Sequence, residues 1–292
     1  MSVDALNAPT PTAAEENGVF SRSGVLRRLA RDKVAVIAAL LLATIGLAAL
    51  FAPLVAPYDP YLTDLTKVMQ PPSAEHWFGT DNTGRDILSR VIYGSRNTLM
   101  LGLVGVILGG FLGILAAYYR RLDGWIMRLV DVMLAFPAIL IGLAVAAIFG
   151  AGLTAVVIAL VVATIPDVAR VARGAAIGIM SQEFMEAGRA VGVSDRTLIW
   201  RYLTLNCIST IFVFLTLRFG QIILIGSALG FLGMGAQPPT AELGMMAAQG
   251  RDFLFMAPHI ATIPSFMIFV IVLAANLLGD ALRDVLDPRL QS

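Results

Sequence analysis

Few residues in this chain can do covalent or metal chemistry, and their spacing excludes the commonest kinds. The two histidines, His76 and His259, stand far apart with no ligand pattern beside either. Neither an HExxH zinc site nor a Ser-His-Asp triad can be built on them, so both read as structural or interfacial. A single cysteine, Cys207, rules out an intrachain disulfide and a thiolate cluster and reads as a small apolar filler. The two lysines, Lys33 and Lys67, follow Asp32 and Thr66, so no Gly-Lys-Ser/Thr phosphate-cradling loop exists and ATP cannot be held in that way. The expectation is a chain with no catalytic residue, no metal and no bound cofactor.

What remains is chemistry of recognition, in three places. From Ser181 to Leu203 the spacing predicts two short helices: Ser181 caps the first, Glu183 suits its positive end, Gly192 stops it and Ser194 caps the second. Phe184, Ala187 and Val191, with small Gly188 beside them, form an apolar knob able to enter another protein's groove, or to lie on a membrane. From Thr80 to Gly94, Ile87, Leu88, Val91 and Ile92 oppose Arg85, Asp86, Ser89 and Arg90, which predicts an amphipathic surface helix capped by Asp81 and ended by Gly94. It reads either as an interfacial anchor or as part of an outer gate or receptor-docking surface. The proline-marked segment from Gln237, Pro238 and Pro239 to Pro258 is a second such surface. The third place is Arg218, a lone charge in an apolar helix, where an unpaired charge is costly. It either lines a path that attracts a carboxylate or pairs with an acid of a partner subunit.

The elements that must position these residues are membrane helices. With 58% hydrophobic and 14% charged residues the chain is far from a soluble composition, and its net charge of +1 gives no nucleic-acid signal. Charges are absent from Val34 to Tyr58, Asn97 to Tyr119, Val132 to Pro166, Phe219 to Ala241 and Phe253 to Gly279. A span needs about 20 such residues. The long third run is divided by Gly150-Ala151-Gly152, giving six spans near 34–56, 97–119, 126–149, 153–172, 208–233 and 260–280. Arg128 and Asp131 lie near the start of the third, on one face, where they can pair or reach headgroups. With both termini cytoplasmic, fifteen of the 21 basic residues fall inside and five outside.

Four ordered stretches carry a resemblance. Glu186-Ala187-Gly188 followed by Gly192 resembles the "EAA" signature of ABC importer permeases. Phe78 to Gly94, Ala228 to Thr240 and Asn276 to Arg289 resemble motifs of the dipeptide/oligopeptide/nickel group, most like the second permease of a dipeptide-type system. The resemblance covers about residues 22–290 and implies an all-α membrane protein of six transmembrane helices with type I ABC importer permease architecture. It implies that Glu183, Glu186, Ala187, Gly188, Arg189, Gly192, Ser194 and Asp195 form the coupling surface for a cytoplasmic ATPase subunit. The partners implied are a second permease, two ATPases that hold the ATP and Mg, an extracytoplasmic substrate-binding protein, membrane lipid and a peptide-like substrate. The implied location is a bacterial-type inner membrane. The chain departs from the family at Leu203-Thr204-Leu205-Asn206, where a proline is common before the asparagine, and at Gly226, near which an acidic residue is common.

The organisation expected is a flexible cytoplasmic tail (1–21), a first span with its external loop (22–96), a five-span core (97–285) containing the cytoplasmic loop 173–206, and a cytoplasmic end (286–292). An autonomous ion-coupled carrier or channel is the alternative, but the chain shows neither repeated halves nor paired intramembrane carboxylates. A membrane enzyme lacks a plausible set of catalytic residues.

Overall fold

The computed structural model describes residues 29–286, apart from the side chains at 100–109, 153, 209, 216, 217, 283 and 286. The expected tail at 1–21, the basic residues Arg22, Arg27, Arg28 and Arg289, and the end of the last motif lie outside the described residues. Within them the chain is helical, with one isolated bridge between Thr80 and Asp86 and no strand.

Helix α1 (Lys33–Leu50) begins where Asp32 accepts hydrogen bonds from the backbone N–H groups of Val34 and Ala35, at 2.8 and 3.3 Å. This polar cap directly precedes the apolar run it starts. A short α2 (Ala52–Val55), with a proline in its first turn, leads into the segment 56–86. Helix α3 (Ile87–Tyr118) then runs 32 residues, about 48 Å at 1.5 Å per residue. The separate surface helix expected over Thr80 to Gly94 does not form. Asp86, not Asp81, is the N-cap, accepting from Ser89 N–H at 2.8 Å. Gly94 lies inside α3, where a Cβ would come within 3.1 Å of Leu243 Cδ2, so its smallness serves packing and ends nothing.

The expected third span, 126–149, is two helices, α4 (Arg120–Leu134) and α5 (Ala138–Phe149), meeting at 92°. Pro137 is the cause: it offers no N–H to continue the ladder and holds Phe136 away from helical geometry. Helix α6 (Leu153–Met180) runs eight residues past its expected end at 172, with Pro166 inside it. Helix α7 (Glu183–Ala190) follows. Then α8 (Asp195–Thr197), a π-helical turn (Leu198–Leu203) and α9 (Thr204–Phe231) follow one another without a break. Helices α10 (Leu243–Arg251) and α11 (His259–Leu286) complete the chain.

Three helical stretches are long and apolar enough to cross a membrane, Lys33–Leu50, Thr154–Met180 and His259–Leu282, and the bent pair α4–α5 makes a fourth if counted as one. By this measure the described residues yield three or four spans, and the count of six is not confirmed. In α9 the apolar stretch found among the described residues is Arg218–Phe231. The contacts nevertheless sort the turns into two ends. Tyr58 N–H donates to Ser89, His259 lies 3.3 Å from the Thr80 carbonyl, and Gly152 N–H donates to Met234 O, which gathers 51–86, 150–152 and 232–260 at one end. Tyr118 donates to Asp195, which gathers the end of α3 and the loop after α6 at the other.

Between the ends, α3 and α6 pack closely. A Cβ at Gly113 would meet the Ala169 carbonyl oxygen and lie 2.7 Å from Ala172 Cβ, so only glycine permits this approach. At the first end, Glu242 is buried at 2% exposure and caps α10 by accepting from Gly244 and Met245 N–H, both at 2.8 Å. Burial holds its carboxyl above the ordinary 4.5, because the two backbone donors favour the ionised form without outweighing desolvation. A folded value above the unfolded one makes ionisation costly to folding. The contribution is therefore fully present below pH 4.5 and falls as pH rises through the folded value. Thermal unfolding of wild type and Glu242→Gln should diverge in this sense, the wild type losing stability relative to the variant as pH rises. A constant difference from acid to neutral pH would refute it.

Candidate functional site

The segment after α6 is built from the inside outward. Met185 and Leu198 are fully buried with Ile114, Val168, Ala172, Ala176, Leu203 and Cys207, so α7 and the π turn rest on the ends of α3 and α6. Cys207 is fully buried in this apolar cluster, as a small filler would be. The opposite face of α7 is free: Glu183, Phe184, Glu186, Ala187 and Arg189 are exposed, and Val191 is 83% exposed. The expected apolar knob of Phe184, Ala187 and Val191 thus stands outward. Glu183 and Glu186 sit in the first turn of α7 and Arg189 in the last, as the helix dipole favours.

The caps differ from expectation. Ser181 donates to Gly178 O at 2.9 Å and closes α6, while Gln182 takes the N-cap position of α7 without a side-chain bond. Gly192, at φ +79°, stops the helix, with Gly192 and Val193 N–H returning to Arg189 O and Gly188 O. Ser194 precedes α8, but its hydroxyl pairs with Thr197 Oγ1 at 3.0 Å and caps no backbone donor. A Cβ at Gly188 would lie 3.0 Å from Leu198 Cδ2, so this glycine is small for the chain's own packing as well as for any partner's. Asp195 accepts from Tyr118 Oη at 2.5 Å, and Arg189 lies 5.9 Å above the Tyr118 ring. Tyr118 therefore ties the loop to the end of α3. At the position of the missing proline, Leu203-Asn206, the π turn runs into α9 without a break, and Asn206 donates to Tyr202 O at 2.5 Å.

Three ion pairs escaped sequence reasoning because their partners are distant in the chain. Arg173 grips Asp123 with two bonds of 2.5 and 2.6 Å, and Arg170 reaches Asp131 at 2.6 Å. Asp131 therefore pairs across to α6 and not with Arg128. Arg218 lies 3.4 Å from Asp167, donates to Gln221 at 2.5 Å and stacks on Phe214. Within this chain the acid beside it is Asp167, on α6.

At the other end, Asp81, Arg85, Asp86 and Arg90 form a buried cluster instead of a surface. Arg85 bonds Asp81 at 2.7 Å, Arg90 lies 3.4 Å from the same carboxylate, and Asp86 lies 2.9 Å from His76 Nδ1. Arg90 also donates to the Pro60 and Pro239 carbonyls at 3.0 and 3.3 Å. Residues 2–5% exposed cannot contact a receptor directly, so their contribution is to the shape of this end of the molecule, the cap. Gln237, Pro238 and Pro239 remain exposed beside them. Among the described residues no three His, Cys, Asp or Glu are grouped to hold a metal.

The family model "binding-protein-dependent transport system inner membrane component" matches residues 105–292, and "N-terminal TM domain of oligopeptide transport permease C" matches residues 23–72. The chain belongs to this family of transport permeases. It is 42% identical over 275 residues to the glutathione transport system permease protein GsiD of Pectobacterium atrosepticum, covering 91% of this chain and 90% of that one. It is 41% identical over 290 residues to a putative peptide transport system permease of Brucella abortus, covering 98% of each. The inward-facing MetNI methionine ABC transporter shares the fold, with a TM-score of 0.54 at 19% identity over 69% of this chain and 98% of that one. The protein is thus an inner-membrane permease subunit of an ABC importer, with the type I permease fold, and not itself an enzyme.

For this permease the support beneath α7 is a test of the geometry. Leu198→Ala removes a side chain 1% exposed and should cost about 2–5 kcal/mol locally. Hydrogen exchange at 183–203 should quicken while that of α9 holds. Unchanged exchange in α7 would mean that Leu198 does not support it.

Proposed function

We propose that this permease imports small peptides or related solutes such as glutathione by ATP-driven alternating access, with α7 as the coupling helix. The observation that carries the reading is an exposed helix held rigidly between α6 and α9, so that a push on α7 is delivered to two long helices at once. Glu183, Glu186, Arg189 and Asp195 lie at its rim, Ala187 on its outer face, and Gly188, Gly192 and Ser194 set its approach and its ends. The peptide-type substrate follows from the relatives' stated cargo, and its selection rests largely with the binding protein.

In this reading the chain pairs with a second permease, two ATPases and an extracytoplasmic binding protein, and ATP and Mg bind the ATPases. Six crossings are proposed: α3 and α9, with 32 and 28 residues, are long enough to cross, and α5 crosses with the flanking 135–137 and 150–152. Both termini are then cytoplasmic, with Gln237, Pro238 and Pro239 facing the binding protein over a cap shaped by Asp81, Arg85, Asp86 and Arg90. Arg218 and Asp167 face the path as a pair that carries no net charge. Their partial exposure, 37% and 32%, leaves the guanidinium within reach of a substrate carboxylate.

Glu186→Arg or Gly188→Asp should abolish binding-protein-stimulated ATPase activity of the reconstituted transporter while insertion of the permease is retained. Full stimulation in both variants would remove α7 from the coupling role. Arg218→Gln strands Asp167, and uptake should fall about tenfold or more, with partial recovery in Arg218→Gln/Asp167→Asn if pairing is the dominant function. Undiminished uptake in the single variant would refute any part for Arg218.

A further inference from the structure

We propose that α4 is an in-plane helix that binds anionic phospholipid headgroups on the side of the membrane that carries the coupling loop. The apolar run of α6 ends at Pro166, and Asp167, Arg170 and Arg173 follow within the span Thr154–Met180; the helix from Leu153 to Arg173 is about 31 Å long, which puts the charged end of the crossing at Arg170 to Arg173. Helix α4 is fastened there by Asp123–Arg173 and Asp131–Arg170. The two acids are eight residues apart on α4, about 12 Å, whereas the arginines are three apart on α6, about 4.5 Å. The helices therefore cross steeply, and α5 turns away from α4 at 92°. A helix nearly perpendicular to crossing helices, at the level where charges begin, lies along the membrane surface.

The face of α4 turned away from the ion pairs is apolar and uncovered. Leu122, Trp125, Leu129 and Val132 recur at steps of three, four and three, and are 44, 75, 60 and 58% exposed. Arg121 and Arg128, seven residues apart, run along one edge of this stripe, and Arg120 stands at its start. All three are exposed, and none pairs with a carboxylate among the described residues, in contrast to Arg170 and Arg173. An aromatic and leucine stripe edged by free arginines is the composition of a helix seated at the acyl–headgroup boundary. Arg120 and Arg121 also open into a recess of about 600 Å³ bounded by Tyr119, Met180 and Arg189. Its one carboxylate, Asp195, is already taken by Tyr118. A phosphodiester on two or three guanidiniums suits this recess better than a neutral surface would.

A second permease covering the same stripe would bury three free guanidiniums, and nothing on this chain compensates them. Lipid phosphates do so without further partners. Because α4 is clipped to α6, and α6 leads directly into α7, headgroups held by α4 would steady the helix that delivers the coupling motion. The side of the membrane rests on the orientation proposed above.

The test uses the assembled transporter with Trp125 replaced by p-benzoylphenylalanine, in vesicles of phosphatidylglycerol mixed equally with phosphatidylcholine. Irradiation should give a phospholipid adduct on this chain, with phosphatidylglycerol favoured about fivefold or more. High salt, or Arg121→Gln with Arg128→Gln, should bring the two lipids to equal labelling while the adduct itself persists. Crosslinking to the second permease, absence of a lipid adduct, or equal labelling in the unmodified charge background would overturn the proposal. Uptake of glutathione and of a dipeptide is measured in the same vesicles, so failure of the importer reading shows as absent ATP-driven uptake beside an intact lipid preference.

Discussion

The packing of α3 on α6 is the constraint from which the rest of the architecture follows. At Gly113 the two helices approach so closely that a single added methyl group would strike the Ala169 carbonyl and Ala172. Helix α3 begins in the buried charge cluster of the cap, where Asp86 is its N-cap, and ends at Tyr118, which holds Asp195 behind α7. Helix α6 begins at the turn bonded to Met234 and ends in α7 itself. The pair therefore links the cap to the loop that carries α7. Interiors packed at this density transmit displacement and do not absorb it.

The cap and the loop are anchored by different physics. In the cap, charges are taken out of water and paired within the chain: Asp81 with Arg85 and Arg90, Asp86 with Ser89 and His76, and Arg90 with two carbonyls as well, while His76 Nε2 is buried without a hydrogen-bond partner. Losing Asp81 would leave Arg85 buried without its carboxylate, which makes the cluster specific in shape. Beneath α7 the anchoring is apolar, through Met185 and Leu198, and the polar residues are left free on the outer face. The docking role proposed for α7 requires this division, since the contact surface of such a helix must stay solvated while its base moves with the scaffold.

What could be read from the sequence was whatever depends on neighbours in the chain. Asp32 before an apolar run, Gly192 after α7 and the outward Phe184–Val191 stripe are local patterns and appear as such in the structure. The readings that failed depended on partners far away. Arg85 and Arg90 alternate with apolar residues as a surface helix would, yet Pro60 and Pro239 bury Arg90, and they lie 30 and 149 residues from it. Asp131 stands three residues from Arg128 but is drawn to Arg170, 39 residues on. Pro137 was the visible sign that 126–149 could not be one straight helix. Its signal was masked by the uninterrupted apolar run around it.

The same reasoning bears on Arg218. An isolated arginine in an apolar helix reads as a binding group because burial without a partner is too costly to be accidental. Asp167 supplies that partner on α6, one residue after Pro166, where the helix is free of a local hydrogen bond and can adjust. At 3.4 Å and about one-third exposed, the pair is loose enough to open. A substrate carboxylate that displaced Asp167 from the guanidinium would free a negative charge on α6. That helix also carries Arg170 and Arg173 and leads into α7, so the displaced charge would act on the element that any coupling motion must move.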